Sequence, residues 1–235
     1  MLKGANIVFD LDGTLVDTAP DLTSALNHAL TRHGHLAVSA ATVRSAVGLG
    51  IRVMIEETLR RLSASDDVDE MLAEFLAYYE ANIARESRPF PGVVAVLERL
   101  AAEGATLAVC TNKQERPSRL LLQELDLEDY FSAISGRDTF PVSKPNPSHL
   151  IGTIALAGGD PSNALMIGDS DVDDDSQSGS RTDHSGKLRL CNDTARRAEG
   201  GSDHRSFRPT RCVRCNAARY RNEAACAFLI RPNTA

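Results

Sequence analysis

Residues 5–17, ANIVFDLDGTLVD, pass from an apolar run straight into two aspartates and a glycine. A short apolar run that ends in acids and Gly reads as a buried parallel strand followed by a turn. In extended chain, residues two apart point the same way, so Asp10 and Asp12 face one pocket if the strand persists that far. Two carboxylates that close repel each other unless a cation or a shared proton compensates. A hard, oxygen-preferring ion such as Mg²⁺ is the simplest compensation. The competing account is an Asp-Gly turn in which Asp12 only caps the bend before Gly13. On this stretch alone the two stand even.

Working outward, the next segment carries no strand signal. From Pro20 to Arg85 the apolar residues fall at helical spacing: PDLTSALNHALTRHG has Pro at its start and Gly34 as a stop. SAATVRSAVG, IRVMIEETLRRLS and DVDEMLAEFLAYYEANIAR continue the pattern with short breaks, which predicts a small helical bundle over residues 18–85. At RPFPG the style changes. Helix VVAVLERLAAEG leads to strand ATLAVC, helix RPSRLLLQELDLEDYF to strand SAISG, and helix NPSHLIGTIALAGG to strand NALMIGDS. Such alternation predicts βαβ units in a doubly wound, Rossmann-like parallel sheet, formed by residues 1–17 and 86–173 with the helical module inserted between them.

In such sheets ligands gather at the carboxyl ends of strands. Those ends carry Asp10 and Asp12, Thr111 and Asn112, and Asp169. Thr111 and Asn112 offer a hydroxyl and an amide to an anionic oxygen, although either alone is equally at home in a strand-to-helix turn. Lys144 precedes a proline and so sits in a rigid extended or turn segment; a solvated lysine is its bland alternative. Acid pair, hydroxyl, cation and acid in that order make chance a poor explanation.

The set FDLDGTLVD, CTNK, SKPNP and MIGDSDVD resembles the haloacid dehalogenase-like phosphohydrolase superfamily, motif for motif and in order, over residues 1 to about 173. The helical insertion is similar to that superfamily's small cap. DLDGTLVDTAPDL, VGLG and TNK with SKPNP resemble its phosphoglycolate phosphatase branch. The resemblance implies a small phosphate ester as substrate and Mg²⁺ as cofactor. It implies Asp10 as nucleophile, Asp12 as the group that protonates the leaving alkoxide, and a metal held by Asp10, the Asp12 carbonyl and Asp169. It also implies Thr111, Asn112 and Lys144 on the phosphoryl oxygens, with Asp173 orienting Lys144 or a metal-bound water. Dehalogenation itself is disfavoured by Asp12. The cap is expected to set the substrate, with the glycines of VGLG closing over the site and Arg52 as a candidate for a substrate carboxylate, since a guanidinium fork suits one. A solvated Arg52 on an amphipathic helix is the competing expectation.

Composition narrows the partners. A net charge of −6 argues against nucleic acid or an anionic membrane. No run of 18 apolar residues occurs, and the N-terminus enters its first strand at once; we expect a cytoplasmic protein without membrane association, monomeric or homodimeric. The last quarter, residues 174–235, differs from the rest. Cys191, Cys212, Cys215 and Cys226 crowd it, as do arginines accompanied by the single lysine Lys187. A zinc or nucleic-acid module built on Cys212 and Cys215 lacks a second correctly spaced pair. A disordered tail suits the Ser, Gly and Arg content. A shifted reading frame explains more. With one base discarded after the codon of Asp173, permitted codons respell the following residues with an alanine-rich helix, a strand TIRVNFGY and a further helix. This predicts that the tail lacks a packed core and that the chain as written has lost its last strand, with stability and activity impaired.

Overall fold

The computed structural model describes residues 2–44, 46–47, 50–169 and 189–191. The chain opens with β1 (Asn6–Phe9) and the short β2 (Val16–Asp17), then rises into four helices: α1 (Ala19–Arg32), α2 (Ala40–Arg44), α3 (Ile51–Leu62) and α4 (Val68–Ala81). It returns through β3 (Arg88–Pro89), which pairs antiparallel with β2, so exit and re-entry lie side by side. Then follow α5 (Val93–Ala102), β4 (Thr106–Cys110), α6 (Glu115–Glu124), β5 (Ala133–Ser135), α7 (Pro147–Leu156), β6 (Ala164–Ile167) and β7 (Arg189–Cys191).

The five core strands run in the order β5-β4-β1-β6-β7, all parallel. Alternation across the pleat divides their side chains between two layers. Ile7, Phe9, Leu107 and Val109 pack with Leu97 and Leu100 of α5 and Leu121 and Leu122 of α6. Val8, Ala108, Cys110 and Met166 pack on the other face with Leu150 and Ile154 of α7. A strand buried on both faces is apolar through most of its length, which is why residues 7–9 and 107–110 read as apolar runs.

The inserted helices have a core of their own, in which Leu26 and Leu30 of α1, Ile55 and Leu59 of α3, and Met71 and Phe75 of α4 meet. Local signals start these helices. Pro20 stands in the first turn of α1, and the Asp67 carboxylate accepts the backbone N–H groups of Asp69 and Glu70 at the start of α4. At the junction with the sheet, the buried Asp21 carboxylate accepts the Glu86 N–H at 2.9 Å, the Ser87 N–H at 2.8 Å and the Ser87 hydroxyl at 2.6 Å. This clasp ties the outgoing chain to the returning one. Arg44 adds a two-pronged ion pair to Asp17.

One expectation needs correction. The tail was expected to contribute no strand, yet Arg189–Cys191 adds β7 beside β6, with Leu190 in register with Met166. The edge of β6 presents a row of backbone donors and acceptors, and the three residues Arg189–Cys191 suffice to pair with it. The remaining residues of 174–235, with Cys212 and Cys215, lie outside the described residues, as does Asp173. Among the described residues no helix is long and apolar enough to cross a membrane.

Candidate active site

Relative to chain order, strand succession reverses at β1: β4 and β5 lie on one side, β6 and β7 on the other. A doubly wound sheet opens a crevice at such a switch point, outside the carboxyl ends of the strands. Asp10 follows Phe9 there, and Gly168 and Asp169 follow Ile167, the register partner of Phe9. The Asp10 N–H continues the ladder onto the Ile167 carbonyl at 2.8 Å, which fixes the backbone at the base of the site.

Asp10 is buried, and its carboxylate meets Lys144 Nζ at 2.9 Å while accepting the Leu11 N–H at 2.8 Å. Lys144 is itself buried and comes from the loop before α7. Two buried opposite charges in contact are stable only as a pair, and removing one partner typically costs about 3–5 kcal/mol. The Lys144 loop is held at two points. Its carbonyl accepts the Asn112 amide N–H at 3.1 Å, and its N–H donates to His149 Nδ1 at 3.2 Å. Burial, then the nearby Lys144 charge, pushes the His149 imidazole down to about 4, so it stays neutral and keeps Nδ1 as an acceptor.

Asp12 lines the same pocket as Asp10, together with Thr111, Asn112 and Lys113 from the end of β4. Leu22, Val47, Ile51 and Met54 of the helical module form its apolar side. The Thr111 hydroxyl oxygen accepts the Lys113 N–H at 3.2 Å, which leaves its proton to donate outward. Asp169 packs over the loop that follows Asp12. Thr14 donates its hydroxyl to Asp169 Oδ1 at 3.1 Å, and a Cβ on Gly13 would come within 2.5 Å of Asp169 Oδ2. Gly13, with φ +85°, therefore meets two demands that only glycine satisfies.

Arg52 is not brought to this pocket. It points away and pairs with Asp69 on the neighbouring helix, with its side chain 43% exposed. The phase of α3 decides this: Ile51 and Met54, three apart, take the inward stripe, which turns Arg52 outward. Of the VGLG loop, Val47 and Gly50 line the pocket, and residues 48–49 lie outside the described residues.

The family model for haloacid dehalogenase-like hydrolases matches residues 7–184. The chain belongs to that family. A phosphoglycolate phosphatase of Mesorhizobium japonicum is 51% identical to this hydrolase over 172 residues, 72% of this chain and 76% of that protein. One of Agrobacterium fabrum is 46% identical over 166 residues, 69% and 71% of the two chains. A crystal structure titled as a predicted phosphoglycolate phosphatase from Haemophilus somnus superposes with a TM-score of 0.70 at 28% identity, covering 81% of this chain and 84% of that one.

Sequence reasoning passed over two residues of this hydrolase's site. Lys113, the third residue of TNK, places its ammonium 3.3 Å from Asp12 Oδ1 and 2.8 Å from the Tyr79 hydroxyl of α4. Burial works against that ammonium, but Asp12 and Tyr79 outweigh burial and raise its pKa above that of an ordinary lysine. Burial raises the pKa of the Tyr79 phenol, which stays protonated. The available signal was a lysine immediately after the Thr-Asn pair at a strand end; nothing in the sequence pointed to Tyr79.

Proposed function

We propose that this hydrolase is a Mg²⁺-dependent phosphomonoesterase acting on a small organic phosphate, 2-phosphoglycolate first among them, through a phosphoryl group carried on Asp10. The observation that carries the reading is the buried Asp10–Lys144 pair at 2.9 Å, opening into a pocket that Asp12 also lines. A carboxylate approaches a phosphate dianion only where positive charge offsets the repulsion, and Lys144 supplies it at the point of attack.

In the first step an Asp10 oxygen bonds to phosphorus and the ester P–O bond breaks. Asp12 gives its proton to the departing alkoxide, while Thr111, the second amide N–H of Asn112, and Lys144 hold the phosphoryl oxygens. In the second step water attacks the same phosphorus, Asp12 takes its proton, and phosphate leaves with Asp10 restored as carboxylate. The Asn112 bond to the Lys144 carbonyl keeps the two phosphate-binding loops in mutual register.

The donors suit a hard divalent ion. Among the described residues no three His, Cys, Asp or Glu side chains gather as a cage, so the set is two carboxylates, Asp10 and Asp169, with the Asp12 carbonyl. Mg²⁺ is commonly bound by one or two carboxylates, with water and phosphate oxygens completing the shell. The close seating of Asp169 over Gly13 brings it to the stretch that carries this carbonyl. Bound there, Mg²⁺ would offset phosphate charge.

The names of the relatives support 2-phosphoglycolate. The test is phosphate release from 2-phosphoglycolate, sugar phosphates, a muramic acid phosphate and pyrophosphate, with Mg²⁺ and with chelator. The expected result is the highest kcat/KM on 2-phosphoglycolate and none with chelator. Release from none of them, by the chain as written or with its tail frame restored, overturns the proposal.

A further inference from the structure

Lys113 stands where the two halves of the molecule meet. Its backbone belongs to the sheet half, where its N–H is bound by Thr111 and its carbonyl accepts the Arg137 N–H at 2.9 Å. Its ammonium reaches the helical half, donating to Tyr79 at 2.8 Å and lying 4.3 Å from the centre of that ring. Tyr79 is fixed in the helical core by near-parallel stacking on Phe75, with ring centres 5.9 Å apart. The third partner is Asp12, whose two carboxylate oxygens lie at 3.3 and 3.4 Å from Nζ.

A lysine buried to 2% exposure of its side chain is costly without partners, and an ordinary structural carboxylate would have met that need. The carboxylate used here is the one assigned to proton transfer. The near-equal distances put the ammonium against the edge of the carboxylate, in reach of both oxygens.

We propose that Lys113 and Tyr79 are a positioning pair: Lys113 sets where the Asp12 carboxylate stands, and Tyr79 makes that placement depend on the helical cap being seated on the sheet. The inference rests on the phosphatase reading above. Neither residue touches the reacting atoms; each acts through Asp12. The Tyr79 hydroxyl thus ties the support of Asp12 to the seating of α4 on the sheet.

Tyr79→Phe tests this, because it keeps the ring, the Phe75 stacking and the ring–ammonium contact and removes only the hydroxyl. On the best substrate of the panel, kcat should fall about tenfold while KM stays within about twofold, since general acid–base placement is disturbed and substrate binding is not. In an Asp12→Asn background, which abolishes the group being positioned, Tyr79→Phe should produce no further loss. Four results would overturn the inference: Y79F with wild-type kcat, the same fractional loss in both backgrounds, a loss confined to KM, or a Y79F chain that no longer folds, which would make the pair a structural pin. Inactivity on every ester, both of the chain as written and of the chain with its tail frame restored, overturns the phosphatase reading and this inference with it. Wild-type turnover unchanged in Y79F overturns only the inference.

Discussion

Replacing Gly13 by alanine puts the closeness of Asp169 to the acidic loop directly to the test. The added Cβ would stand 2.5 Å from Asp169 Oδ2, 3.0 Å from its Cγ and 3.1 Å from Oδ1, so the whole carboxylate has to give way. At φ +85° the new side chain is also strained by its own backbone, a cost of about 1–2 kcal/mol. Displacing Asp169 breaks its 3.1 Å bond from the Thr14 hydroxyl, worth about 1 kcal/mol. The sum is about 2–3 kcal/mol, a loss that a urea melt resolves as a lower midpoint at unchanged slope. The larger effect should be functional. Asp169 is one of the two carboxylates proposed to hold Mg²⁺, and disturbing the support of a metal ligand commonly costs about 10–100-fold in metal affinity. A Mg²⁺ titration of phosphate release should shift by that factor in G13A. A variant within about 0.5 kcal/mol of wild type, with an unchanged Mg²⁺ requirement, would refute both the packing of Asp169 on Gly13 and its metal role.

Other outcomes follow from the same geometry. Asp21→Ala should cost about 2–4 kcal/mol, because two backbone N–H groups and the buried Ser87 hydroxyl lose their shared acceptor; thermal unfolding of the variant measures it. His149, lowered from 6.5 to about 4, gives a signed pH effect. The unfolded chain takes up this proton below 6.5 and the folded chain resists until about 4, so stability falls on acidification through that window. His149→Asn, which keeps an acceptor for the Lys144 N–H, should flatten that part of the melting-temperature profile; an identical profile in the variant would count against a neutral buried His149. Resequencing the gene across the codons for residues 169–177 should reveal one surplus base, and an unaltered sequence would leave the tail as written.

Much of the fold was legible because the core strands are buried on both faces. Residues 7–9, 107–110 and 164–167 are apolar runs that end at acids, Thr-Asn or Gly-Asp, and the structure places these ends around one switch point. Asp10, Asp12 and Thr111 could be grouped from sequence because neighbouring parallel strands deliver them to the same edge. What could not be read depends on how helices dock. Tyr79 looks like any apolar-stripe residue of α4, and its meeting with Lys113 is set by how the cap lies on the sheet. The two readings of Arg52 stayed open for a related reason: a helical stripe announces that one face is inward, but only packing chooses between Ile51 and its neighbour, and the structure gives the exposed one. The strand Arg189–Cys191 escaped notice because three residues carry almost no periodic signal, and its partner edge on β6 decides its conformation.

The central claim is that Asp10 carries the phosphoryl group. Turnover of 2-phosphoglycolate stopped by rapid quench and treated with borohydride reduces an acyl phosphate at the residue that bears it, and peptide mass analysis then locates the change. The account predicts the mark at Asp10 and its absence in Asp10→Asn. Turnover that leaves Asp10 unmarked, or that marks another residue instead, would contradict it.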